Sequence, residues 1–133
     1  MSEANVEIVR RGWEHFLATG ELLEEIMAPN FEWHMSTFRG WPEQRLYVGV
    51  EGARAFLRDW TGPFDDWTIE LQALHDAGER VVSVCRQRGR SRTTGMPVEM
   101  LFSMVWTVHD GMETRMEIYT DPAEALKAVG LER

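Results

Sequence analysis

The chain has 133 residues, the size of one domain, and 44% of them are hydrophobic, too many for a disordered polymer. Lys and Arg number 14 against 22 Asp and Glu; the formal charge of -8 argues against nucleic acid or an anionic membrane surface as partner. One cysteine, Cys85, excludes an internal disulfide, and no apolar run reaches the length of a membrane span.

Val6, Val9, Trp13, Phe16 and Leu17 recur at i, i+3, i+7, i+10 and i+11, one face of a helix over residues 5–19. Ser2 or Asn5 is available to cap its start, and Gly20 to stop it. A short second helix is expected over 21–27, with Leu22, Leu23 and Ile26 inward and Pro29 ending it. Residues 31–35 alternate as a strand, with Phe31, Trp33 and Met35 on one face and Glu32 and His34 on the other. The stretch 36–49 is irregular, and loops of that length often carry function. A third helix over 50–61 turns Val50, Ala53, Phe56, Leu57 and Trp60 inward.

From Trp67 the period changes from 3.6 to 2, and strands are expected near residues 67–73, 80–90, 98–108 and 114–119. The turns between them fall at 75–78, at 93–95 and at the Asp110-Gly111 pair. Asp121, Pro122 and Glu124 occupy the N-cap, N1 and N3 positions of a closing helix over 122–129. No repeat or linker divides the chain, so residues 1–133 are read as a single domain. Helices on a meander of antiparallel strands predict an α+β fold. The strand 98–108 places Met100, Phe102, Met104, Trp106 and Val108 on one face and Leu101 and Val105 on the other. Helices cover one apolar face, and a second copy of the chain is the simplest cover for the other.

Several runs carry a family resemblance. NVEIVRRGWEHF from Asn5 and FEWH from Phe31 resemble the opening of SnoaL-like proteins, within the nuclear transport factor two-like or ketosteroid isomerase-like superfamily. VWTVHDG over 105–111, EIYTDPAEAL over 117–126 and the pair Gly130-Leu131 resemble their ending. The similarity runs over nearly all of residues 3–131. It implies a cone-shaped curved antiparallel sheet with three helices in the N-terminal half, a short C-terminal helix, and an interior pocket. The back of the sheet would be a dimer interface. The superfamily holds isomerases, polyketide cyclases, epoxide hydrolases and non-catalytic domains, so fold does not choose among them. At the positions of the isomerase tyrosine, general base and second acid stand Trp13, Met35 or Ser36, and Met104 or Ser103. All three depart from the isomerase pattern. Against the Asp-Arg-Asp set of limonene epoxide hydrolase, Arg86 matches the arginine, and Glu117 or Asp121 a carboxylate.

The candidate catalytic residues are His34, Arg86 and Glu117. A histidine at a cavity mouth can move protons, but His34 has the strand parity opposite to Trp33, so a structural histidine is the competing reading. Arg86, Arg88, Arg90 and Arg92 share a face; Arg86 adjoins Val82 and Val84 there and is expected to need a carboxylate, which Glu117 would supply at the pocket rim. Glu117 shares its face with Tyr119. The expected pocket lining is Trp13, Trp33, Met35, Trp60, Phe102 and Met104, with Trp106 and Tyr119; Phe16 and Phe56 are read as packing. Cys85, within an apolar strand, reads as a buried structural thiol. No histidine pair has metal-ligand spacing, and neither a metal nor a cofactor is expected. The expected partner is a small hydrophobic molecule, in a homodimer in a reducing cytoplasm. Two functions stay open: an enzyme of isomerase, cyclase or hydrolase type, or a domain that binds or scaffolds without chemistry. A pocket carboxylate or histidine with a displaced pKa would favour the first.

Overall fold

The computed structural model describes residues 2–131. Helix α1, Glu3–Thr19, starts on Ser2, whose side chain accepts from the Asn5 backbone N–H, and ends at Gly20 in the left-handed region. The Asn5 side chain instead donates to the Gly78 carbonyl across the fold, at 2.9 Å. A 3-10 turn, Glu24–Ile26, leads into strand β1, Met27–His34. Then come β2, Leu46–Val48; α2, Gly49–Thr61; β3, Phe64–Ala77; β4, Arg80–Ser91; β5, Pro97–His109; and β6, Met112–Tyr119. Helix α3, Pro122–Ala128, closes the chain, and Asp121 caps it by accepting from the Ala123 backbone N–H at 3.0 Å.

The fold is the expected α+β cone. The six strands lie in the order β2-β1-β6-β5-β4-β3, one curved sheet that does not close. The sheet is mixed, not purely antiparallel, because β1 runs parallel to β6. The second helix expected over 21–27 is reduced to the 3-10 turn. Met27 is drawn into β1 by pairing opposite Glu113, which leaves a segment too short to repay the cost of nucleating an α-helix. Strand β1 therefore starts four residues before Phe31, and β3 starts three before Trp67.

Helices α1 and α2 cover the inner face of the sheet. There Phe31, Trp33, Val81, Cys85, Phe102 and Met116 form the main core with α1 and α2. The outer face is part covered by α3, whose Ala125 packs on Val82 and Val105. The two-sided apolar pattern of β5 is thus met by α3 at Val105, while Leu101 stays 40% exposed. The Asp110-Gly111 hairpin has both residues at positive φ, the geometry of a tight two-residue turn.

One irregularity beside that hairpin positions the site. Along β5 and β6, Trp106 pairs with Met116, Thr107 with Arg115, and then Val108 with Glu113. Thr114 is extra, a β-bulge. Without it, the alternation that turns Met116 and Ile118 inward would turn Thr114 inward and Glu113 outward. With it, Glu113 shares the inner face with Val108 and is 4% exposed.

Candidate functional site

Helix α1 lays Val9, Gly12, Trp13 and Phe16 across the inner face of the sheet, over a cavity. Its volume is about 60 Å³, measured as space open to the centre of a water molecule. That is room for a few waters or one compact organic group. Leu22, Leu23 and Ile26 wall one side, from the segment read as a helix. Trp33 of β1 and Phe56 and Trp60 of α2 wall another, and Phe102, Met104 and Trp106 of β5 form the floor.

Glu113 is the single ionisable side chain in this lining. Burial alone pushes its carboxyl up to about 8, with no opposing cation or hydrogen-bond donor to hold it down. At neutral pH it is mostly the neutral acid, a form that can donate a proton and, once ionised, recover one. Its register neighbours are Met27 on β1 and Val108 on β5, and α1 presents Gly12; none of these titrates.

Three of the five lining indoles are held by hydrogen bonds. Trp60 and Trp67 both donate to the Gln87 amide oxygen, at 2.6 and 2.9 Å, and Trp106 donates to the Ser83 hydroxyl at 2.9 Å. The indole N–H groups of Trp13 and Trp33 have no partner. Trp33 lies on Phe56 with ring centroids 4.4 Å apart, and Phe38 and Trp41 of the segment between β1 and β2 pack on Trp60 at 5.3 and 5.6 Å. That irregular segment is a cap on the aromatic stack. A wider groove adjoins the cavity and shares Phe16, Leu57, Trp67 and Ile69 with it. Leu17, Arg58 and Thr61 line its outer part, so access from solvent runs between the ends of α1 and α2.

The residues singled out in the sequence divide sharply. Trp13, Trp33, Trp60, Phe102, Met104 and Trp106 line the cavity, and so do Phe16 and Phe56. Met35 is buried deeper in the core, and Tyr119 packs on the outer face beside α3; neither lines the cavity. His34, Arg86 and Glu117 are all on the outer face. His34 Nε2 is 2.8 Å from Glu32 Oε1, and His34 is the register neighbour of Glu117. Glu117 approaches Arg115 at 3.4 Å. The expected Arg86–Glu117 pair does not form: β5 lies between β4 and β6, and the nearest carboxylate to Arg86 is Glu99 at 3.9 Å. The face of β4 that does reach the interior carries Ser83, Cys85 and Gln87. Burial pushes the Cys85 thiol up to about 12, so it is no nucleophile. Among the described residues no cluster of three or more His, Cys, Asp or Glu side chains comes together as metal ligands would. Glu113 went unread because it falls between the Asp110-Gly111 turn and the regular part of the last strand, and its inward direction depends on the bulge.

The family model for the SnoaL-like domain matches residues 9–116. No curated protein matches the chain. Among solved structures, an NTF2-like protein from Burkholderia thailandensis is 28% identical, with a TM-score of 0.76 over 94% of this chain and 98% of that one. TerC, co-crystallised with polyporic acid, is 21% identical, with a TM-score of 0.72 over 96% of this chain and 98% of that one. A hypothetical protein with a ketosteroid isomerase-like fold from Catenulispora acidiphila, in complex with trimethylamine, is 14% identical, with a TM-score of 0.68 over 94% and 93%.

Proposed function

We propose that this chain, which belongs to the SnoaL-like domain family, binds a small, mostly apolar organic molecule in the cavity under α1, where Glu113 exchanges a proton with it. The observation that carries this reading is the placement of one uncompensated carboxyl among aromatic walls. A general acid–base group works best with a pKa near the working pH, and burial moves Glu113 into that range. Structures of the same fold hold small molecules, polyporic acid in one and trimethylamine in another. The cavity is small, so a ligand larger than a compact group would enter by turning the side chains of Phe16 and Trp67 at its mouth.

The test is direct. Small ketones and enones are screened by quenching of tryptophan fluorescence, and each bound compound is checked for deuterium uptake at carbon from D2O. Uptake with the wild type that is lost in Glu113→Gln, while binding persists, supports proton exchange. Equal uptake in both proteins discards it and leaves a binding domain without chemistry.

The second element of the reading is a homodimer in a reducing cytoplasm, formed through the part of the outer face that α3 leaves bare. Leu46, Val48 and Leu101 are exposed large apolar residues there. Sedimentation at micromolar concentration showing a stable monomer would remove that element. No helix among the described residues is long and apolar enough to cross a membrane.

A further inference from the structure

We infer that the molecule held in this cavity is a small organic cation, a tertiary amine bound as its ammonium ion or a quaternary ammonium, with Glu113 as its counter-ion and the surrounding indoles as its walls. The inference rests on the ligand-binding reading above and narrows it to one chemical class.

Three observations point the same way. Five tryptophans and three phenylalanines line the space, Trp13, Trp33, Trp60, Trp67 and Trp106 with Phe16, Phe56 and Phe102. Aromatic walls, tryptophan above all, are the surroundings in which a desolvated organic cation is held by the ring quadrupoles. Second, Glu113 is the one side chain in the lining able to carry charge, and no cation among the described residues reaches it. Arg58 lines the outer groove and not the cavity. A buried carboxylate without a partner is costly, so the charge on Glu113 is stable only when a cation arrives with the ligand. Third, the chain carries a formal charge of -8, which draws cations toward it.

The proton balance is simple. With a neutral tertiary amine, the carboxylic proton of Glu113 passes to the nitrogen lone pair, leaving a carboxylate and an ammonium ion in contact. An aliphatic amine near the lysine value of about 10.4 takes that proton from a carboxyl held near 8. A quaternary ammonium has no lone pair, so its binding releases the proton to solvent.

The rival class is a neutral molecule with an acceptor oxygen, for which the unpartnered N–H groups of Trp13 and Trp33 would be donors. A neutral ligand meets Glu113 as its neutral acid and binds without proton release, whereas a cation draws out the carboxylate and its proton, and that difference separates the two classes.

The experiment uses two probes of one shape, choline and its uncharged carbon analogue 3,3-dimethylbutan-1-ol, titrated calorimetrically into the full chain. The expected result is that choline binds about tenfold or more tightly than the alcohol at pH 9. Below the pKa of Glu113 its affinity falls by about tenfold per pH unit, and a proton is released on binding, read from the dependence of the heat on buffer. Glu113→Gln should lose choline binding by tenfold or more while keeping the weak binding of the alcohol. Trp67→Leu, at the half-buried edge of the cavity, should weaken choline more than the alcohol. Alcohol bound as tightly as choline, or choline bound as tightly by Glu113→Gln, overturns the cation and leaves the ligand-binding reading standing. Binding of neither probe overturns it too; the ligand-binding reading then fails as well if benzene, an apolar probe of the cavity, also leaves the tryptophan fluorescence unchanged.

Discussion

The Glu113 carboxyl lies against the bare backbone of Gly12. A Cβ built on Gly12 would stand 3.6 Å from Glu113 Oε2 and 3.0 Å from Ile26 Cδ1. A methyl there would touch the carboxyl at ordinary van der Waals distance and crowd the Ile26 methyl, at the point where α1 borders the cavity.

Gly12→Ala tests that relationship. Alanine in a helix interior is favoured over glycine by about 0.5–1 kcal/mol. The Ile26 methyl must give by a few tenths of an ångström, which offsets part of that gain. The expected net change is under about 1 kcal/mol in urea unfolding, with weaker ligand binding because the methyl intrudes on the cavity. Unchanged ligand binding would mean that Gly12 is not part of the site.

The stability of the wild type should fall as pH rises from about 4.5 to about 8, through the range set by Glu113. The folded carboxyl binds its proton more tightly than the unfolded one. Its contribution is therefore fully present below the unfolded value and is lost as pH rises through the folded one. The slope is at most about 1.4 kcal/mol per pH unit. Glu113→Gln does not titrate, so the wild-type stability minus that of Glu113→Gln should shrink between pH 5 and pH 8.5 in urea unfolding. A constant difference would show a carboxyl with an ordinary pKa.

Arg86→Met and Glu117→Gln should act independently. Both are on the outer face, with β5 between their strands, and each has another partner, Glu99 at 3.9 Å and Arg115 at 3.4 Å. Each single change is expected to cost under about 1 kcal/mol, as for exposed pairs, and the double change should equal their sum. Recovery in the double mutant would restore the direct pair that strand order disallows.

Gln87 holds two walls of the cavity at once, through Trp60 at 2.6 Å and Trp67 at 2.9 Å. Gln87→Leu strands both indole N–H groups and should cost about 1–3 kcal/mol, with a shift in tryptophan emission. Gln87→Glu keeps an acceptor for both and should retain the native emission, though it places a charge where little solvent reaches.

Cys85 should be unreactive toward iodoacetamide in the native protein and reactive in urea, because it is fully buried and its thiol is pushed up to about 12. Modification of the native protein at pH 8 at the rate of a free thiol would contradict its placement.

Residue order settled whatever depends on near neighbours along the chain. The periodicity from Val6 to Leu17 gives α1, Gly20 stops it, the Asp110-Gly111 pair turns β5 into β6, and Asp121-Pro122 starts α3. The resemblance in the opening and closing runs was enough for the family and for the cone. Alternation along β1 and β5 also put Trp33, Phe102, Met104 and Trp106 on the interior face, since side chains of a regular strand change sides at every residue.

Strand order and register are relations between distant segments, and they decided the rest. The sheet order puts β5 between Arg86 and Glu117, although each has the polar company its own strand suggests. Pairing with β6 takes Met27 from the expected helix into β1. One extra residue, Thr114, reverses the alternation of β6 just before the hairpin and sends Glu113 into the cavity. No local pattern marks that residue. A bulge exists only against a partner strand, and the energy that holds Glu113 inside comes from the pairing of Val108 and Met27 on either side of it.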